Sequence, residues 1–248
     1  MEENWINIEG DLLNIKDLPQ QLKDLNLMPI FLRRYFENIF IKDIKADKDE
    51  QIAFQQKFMK KEGIGNKDEL AIWLKNNLIT EKEISRQLYV NLRLEKFKKE
   101  KFGNKIEDVF LKRKKSLDRV TYSLLRVKNR STISELYIRL SEEEETFADL
   151  ASNYSEGVEQ VFQGLIGPME IGNANPVIVE KLLASSPGQL WPPFELDGWW
   201  IIIRLEKLIP ASLNEMMRTR LINEMYEMSI MNKIKKTLLD LSKDELNL

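Results

Sequence analysis

Residues Phe147–Leu205 read FADLASNYSEGVEQVFQGLIGPMEIGNANPVIVEKLLASSPGQLWPPFELDGWWIIIRL, and this stretch decides the fold. Phe147, Leu150 and Ala151 share a helical face, which predicts a short helix ending in a polar loop at Ser155. Gly164, Gly167 and Pro168 punctuate a short strand-like piece. A second helix is predicted around Val177 to Ala184, then a turn at Pro187-Gly188. The Ile-rich run Trp199 to Leu205 has the length and composition of a buried strand. Upstream, Val120 to Val127 reads as a strand and Ser131 to Arg139 as a helix, giving the order β-α-α-β-α-β.

Composition narrows the chemistry. The chain has no cysteine and no histidine, so disulfides and thiolate metal sites are excluded, along with the commonest general base and zinc ligand. No EF-hand spacing is present, and no metal or cofactor is expected. The formal charge of −2 gives no whole-chain signal for nucleic acid. A hydrophobic content of 43% in 248 residues suffices for one large core or two modest ones. The N-terminal Met1-Glu-Glu-Asn-Trp-Ile-Asn7 is acidic and lacks a basic segment followed by an apolar one, so no signal peptide is read. No apolar run reaches bilayer length, and the expected location is the cytoplasm.

Outward from the central stretch, both flanks read as helical. Residues 1–28 carry little pattern. Pro29 suits a first helical turn, and Leu32, Tyr35, Phe36, Ile39 and Phe40 follow as an amphipathic stripe, expected to pack in a core. Asp47 to Lys61 is a second helix, with Phe54 and Phe58 one turn apart. Asn66 caps a third, with Glu69 three residues on and Leu70, Trp73 and Leu74 on one face. Thr80-Glu-Lys-Glu83 is a capping box opening a long helix marked by Ile84, Leu88 and Leu92. Lys96 to Lys115 is locally basic; a solvated helix face accounts for it, and no nucleic-acid motif accompanies it. After Pro210, Ser212-Leu-Asn-Glu215 reads as another capping box. The stripe Leu213, Met217, Leu221, Met225 and Met228 follows, expected to pack back on the N-terminal helices, with a pliable Met-rich peptide-binding face as the alternative.

The block at about residues 118–210 resembles the parvulin family of peptidyl-prolyl isomerases. The resemblance rests on F-A-x-L-A-x-x-Y-S at Phe147 to Ser155, Q-G-L-I-G at Gln163 to Gly167, P-G-Q at Pro187 to Gln189, and G-W-W-I-I-I at Gly198 to Ile203. It implies an α+β chain in three parts. Residues 1–117 would be a SurA-like helical region, 118–210 a βαααβαββ parvulin-like domain, and 211–248 a helix rejoining the helical region. Its implied partners are unfolded or proline-containing polypeptides, with no nucleic acid and no transmembrane segment.

The resemblance also locates a site. The two histidine positions of active parvulins fall on Ser123 and Trp200, and the cysteine or aspartate position falls at Gly157, with Glu156 and Glu159 the nearest acids. Leu165 takes the acidic position of the family's G-D-L-G segment. The proline-gripping positions fall on Ile166, Ala174 and Ile178, and a threonine position on Glu195. Of the two adjacent tryptophans, Trp200 is expected to line the groove and Trp199 the core. A catalyst of prolyl isomerisation must favour the twisted amide over the planar one, across a barrier of about 18–20 kcal/mol. With serine, glycine and indole at the polar positions, two readings stand: a foldase that binds extended peptide with its catalytic groups largely lost, or a non-catalytic adaptor or holdase for a precursor, linked to export.

Overall fold

The computed structural model describes the backbone of residues 5–8 and 11–246 and the side chains of 16–242. The heptad Met1–Asn7, read above as no leader, therefore lies largely outside the described residues. The chain forms two compact units, Met1–Ile106 with Arg218–Leu248, and Glu107–Met217. The second unit extends further on both sides than the 118–210 read from the sequence. No helix among the described residues is long and apolar enough to cross a membrane.

The first unit opens with a hairpin of β1 (Trp5–Ile8) and β2 (Asp11–Asn14). Helices α1 (Leu18–Asp24), α2 (Met28–Phe40), α3 (Lys48–Lys61), α4 (Lys67–Asn76) and α5 (Glu81–Phe102) follow. Their starts obey local chemistry. Asp47 and Thr80 each accept from the backbone three residues on, at Glu50 and Glu83, whose carboxylates reach back to close capping boxes. Asn66 caps α4 through the Glu69 amide. The long helix α10 (Glu215–Leu246) returns to this unit. Tyr226, Ile230 and Ile234 of α10 share a core with Met28, Leu32 and Phe36 of α2 and Phe102 of α5. The C-terminal helix thus packs on the N-terminal ones.

Three details differ from the sequence reading. Tyr35 and Ile39 of the α2 stripe are exposed, because the helix is covered on one arc only and the apolar stripe is wider than that arc. The cap of α10 is Asn214, which accepts from the Met217 amide, rather than Ser212. Along α10 the buried line runs through Leu221, Tyr226, Ile230 and Ile234, leaving Met216, Met228 and Met231 exposed.

A charge network sits against that core. The Arg33 guanidinium donates to both oxygens of Glu227 (2.9 and 2.5 Å) and to Glu37 (3.1 Å), and the buried Glu37 also accepts from Tyr226 (3.3 Å). Burial, with the Glu37 carboxylate beside it, drives the Tyr226 phenol pKa up. The basic stretch is partly absorbed here: Lys96 pairs with Glu50 of α3, and the Lys98 ammonium lies over the Tyr226 ring, its pKa lowered by burial.

The second unit holds α6 (Ile106–Leu117) and a four-stranded antiparallel sheet of order β4-β3-β6-β5, from β3 (Arg119–Val127), β4 (Leu165–Glu170), β5 (Phe194–Leu196) and β6 (Trp199–Ile209). Helices α7 (Arg130–Ser141), α8 (Phe147–Tyr154) and α9 (Pro176–Leu183) clothe it. The unit is α+β, as its patterning implied. Strand pairing sorts the side chains by parity. Leu125, Val127 and Ile202 face Ile133, Leu136, Phe147 and Leu150 of α7 and α8. Val120, Tyr122, Leu124, Ile201, Ile203 and Leu205 face Ile178 and Leu182 of α9. Gly164 joins the loop after α8 to β4 with φ +79°, and a Cβ there would lie 2.7 Å from that of Ala151 and 2.9 Å from the Leu124 carbonyl. Only glycine meets both demands.

Leu150 of α8 is fully buried. Leu150→Ala is expected to cost about 2–5 kcal/mol by loss of buried methyls and the cavity left behind, read as a lowered urea midpoint with an unchanged slope.

Candidate functional site

The sheet divides the residues singled out from the sequence. Ile166, Ala174 and Ile178 come together on the α9 face, packed with Tyr122, Leu124 and Ile201. Ser123 and Trp200 do not join them. Ser123 is buried and donates to Glu206 (2.6 Å), which also accepts from Arg204 (2.8 Å), whose guanidinium lies over the Phe147 ring of α8. Trp200 packs on the core under α7 and α8. The register sets Ser123 opposite Arg204 and Trp200 opposite Val127, so the two stand four residues, or about 13 Å, apart along the strands. The expectation that Trp200 lines the groove is corrected: Trp199 is on the α9 face and Trp200 on the other, because adjacent strand residues point to opposite faces. Leu165 and Glu195 are exposed, opposite Ser123 and Trp200 respectively.

The polar centre on the α9 face is built from residues not picked as site residues. Arg126 of β3 and Glu159 of the 3-10 turn Val158–Phe162 form a two-bonded pair, Nε to Oε1 at 3.0 Å and Nη2 to Oε2 at 2.7 Å. Glu159 is 3% exposed. The Ser155 hydroxyl donates to the same carboxylate (2.6 Å) and accepts from the Arg126 amide (3.2 Å). Gly157 passes directly against this pair. A Cβ at 157 would overlap the Arg126 guanidinium and the Glu159 carboxylate. The space a side chain at 157 would need is thus filled by these two groups.

Aromatic and apolar groups continue the face. The Arg126 guanidinium lies 5.5 Å and the Lys128 ammonium 3.6 Å from the centroid of the Trp199 ring. Phe194, Leu196 and Trp191 pack on the same core, and Lys181 of α9 lies over the Trp191 and Phe194 rings. Tyr122, opposite Ile166, is buried, and desolvation holds its phenol pKa above the ordinary tyrosine value, with the Glu159 charge adding to it. Among the described residues no His, Cys, Asp or Glu cluster could hold a metal. The arrangement offers an apolar shelf beside a satisfied ion pair. Counting by twos from Tyr122 through Leu124 to Arg126 was the signal available in the sequence for this face.

Residues 109–207 match the family model described as Rotamase, the PPIC-type PPIASE domain. The sheet and its helices are therefore a PPIC-type PPIase domain, of the parvulin class. Solved structures described as peptidylprolyl isomerases and SurA-like chaperones align with most of the chain's length. PrsA from Bacillus cereus is 18% identical over 94% of this chain and 90% of that one, with a TM-score of 0.48. PrsA from Bacillus anthracis is 18% identical over 88% and 98%, with a TM-score of 0.40. A structure from the pair of SurA-like chaperones PEB4 and Cj1289 of Campylobacter jejuni is 13% identical over 98% and 96%, with a TM-score of 0.38. No curated protein matches the chain.

Two outcomes test this site. Gly157→Ala is expected to break the Arg126–Glu159 pair and lower stability by about 3 kcal/mol, since a separated buried charge is left unsatisfied; Glu159→Gln should give a similar loss in urea denaturation. Tyr122 and Tyr226, their pKa values raised in the fold, keep their protons when the unfolded chain loses them near pH 10. Above that pH the folded state binds more protons than the unfolded state, so stability falls as pH rises. Ultraviolet titration should show Tyr122 and Tyr226 ionising above the ordinary tyrosine range, an absorbance step that Tyr122→Phe or Tyr226→Phe reduces.

Proposed function

We propose that the chain is a foldase whose PPIC-type domain binds extended, proline-containing polypeptide on the α9 face with its acid-base chemistry largely lost. One observation carries this: Ile166, Ile178, Phe194, Leu196 and Trp199 form an apolar shelf on the family's proline-gripping side, beside an ion pair whose charges are already matched. A prolyl ring gains from burial against such a shelf. Removing water from the preceding carbonyl weakens the resonance that holds the amide planar. The residues that would have to move a proton do not favour doing so. Arg126 and Glu159 are committed to each other, Ser155 gives Glu159 a further donor, and burial favours the neutral form of Tyr122. Turnover by shape and desolvation alone is slow relative to turnover with positioned acids and bases, which contribute about 10²–10⁴-fold.

The holdase or adaptor reading has its own support. The Arg126–Glu159 pair fills the space at Gly157 where a reacting group would otherwise stand. In that reading the shelf captures a precursor's extended segment and no isomerisation follows. The printed descriptions of the resembling structures, foldase and SurA-like chaperone, fit polypeptide clients under either reading.

A protease-coupled prolyl isomerisation assay beside an aggregation assay on an unfolded client separates the two. The foldase reading expects weak rate enhancement that falls about tenfold in Trp199→Ala or Ile178→Ala, through loss of apolar contact made to the twisted amide. Suppression of aggregation with no enhancement at any concentration assigns the holdase reading. Neither activity in a folded chain sinks both.

A further inference from the structure

The helical unit carries a groove that nothing above uses. Two cavities of about 300 and 350 Å³ lie end to end between α3 and α5 and share Phe54 and Leu88 in their walls. Leu92 extends the floor at one end and Phe58 at the other, where its ring packs edge-on against Trp73 of α4 at 5.3 Å. Phe54, Phe58, Leu88 and Leu92 thus give the groove an apolar strip, with glutamine, serine and asparagine side chains beside it. Its length is set by α3, whose 14 residues span about 20 Å, enough for about six residues of extended chain.

Its rim is predominantly basic, with Lys48, Lys57, Lys61 and Lys98 against the carboxylate of Glu95. Lys48, Lys57 and Lys61 line the cavities, and no carboxylate among the described residues forms an ion pair with any of them. The acidic residue in the lining is Glu95. By contrast Lys96, on the same helix, is matched by Glu50 at 2.6 Å. Unpaired ammonium groups above an apolar floor call for a ligand with carboxylates at its edges and hydrocarbon at its centre.

We propose that the α3/α5 groove is a second polypeptide-binding site, selective for client segments that alternate apolar and acidic side chains. The apolar side chains enter between Phe54 and Leu88, and the carboxylates meet Lys57 and Lys61, one helical turn apart on the rim. Nucleic acid fits less well, because its charge lies on a continuous backbone while this groove is hydrocarbon along its floor. The site is in a different unit from the PPIase domain, so it stands whether or not that domain binds prolyl peptide.

The test uses the full chain and fluorescein-labelled synthetic peptides alternating Leu or Phe with Glu, or with Lys, read by fluorescence anisotropy. The glutamate peptide is expected to bind about tenfold tighter than the lysine peptide at low salt, the gap narrowing as salt rises. The exposed double variant Lys57→Glu/Lys61→Glu should weaken the glutamate peptide about tenfold and improve the lysine one. Gln55→Trp, which narrows the groove from its wall, should weaken both. Circular dichroism confirms that each variant is folded. Binding of neither peptide, equal binding of the two, or binding unchanged in both variants overturns the proposal. So does displacement of the glutamate peptide by an oligonucleotide at lower concentration than by unlabelled peptide, or self-association of the chain that both variants abolish.

Discussion

The pairing of β3 with β6 is the constraint on which the PPIase domain depends. It runs from Arg119 opposite Ile209 to Val127 opposite Trp200, with one irregularity between Thr121 and Tyr122. Every other part of the unit is placed by it. The two strands are the middle of the sheet, so both faces are buried, and side chains from both strands make both cores. Because side chains alternate, the register decides which residues can ever meet. A slip of one residue would exchange Trp199 for Trp200, and Arg126 for a neighbour, on the α9 face.

The second consequence of that pairing is an edge that must be closed. β4 pairs with β3 only as far as Ser123, leaving the polar backbone of residues 124–126 on that side without a strand. The segment after α8 takes over. Gly164 accepts from the Leu124 amide, Ser155 from the Arg126 amide, and the Glu156 amide donates to the Arg126 carbonyl. The same segment carries Glu159 to the Arg126 side chain. Closing the edge and building the polar centre are therefore one event, and Gly157 makes it possible by leaving no side chain in the way. At the polar centre this chain holds a neutralised pair. Such a pair contributes little net stability, but removing one member leaves the other buried and unsatisfied.

The two units use charge differently. In the PPIase domain, buried charge is matched at short range, as with Arg126 and Glu159. In the helical unit, Arg33, Glu37 and Glu227 form such a network at the core, whereas Lys57 and Lys61 on the rim of the α3/α5 groove form no ion pair with a carboxylate among the described residues. Matched charges fix the packing of helices. Unmatched ones, above an apolar floor, leave attraction available to a ligand.

Local physical chemistry made much of this legible from the chain alone. The capping box at Thr80, the Asn66 cap and the Ile-rich final strand depend on neighbours a few residues away, so their elements fall where the pattern puts them. That Ile166, Ala174 and Ile178 would pack together was legible for a similar reason, since the turns and the helix that carry them lie close in the chain. What the sequence could not determine was which of two adjacent tryptophans faces the groove, or that Ser123 turns towards Glu206 while Arg126 supplies the polar centre. Those outcomes depend on a cross-strand register between residues about eighty positions apart and on a loop folding back to an open sheet edge. Only the tertiary structure sets them, because a period-2 pattern defines two faces without saying which one the rest of the chain will cover.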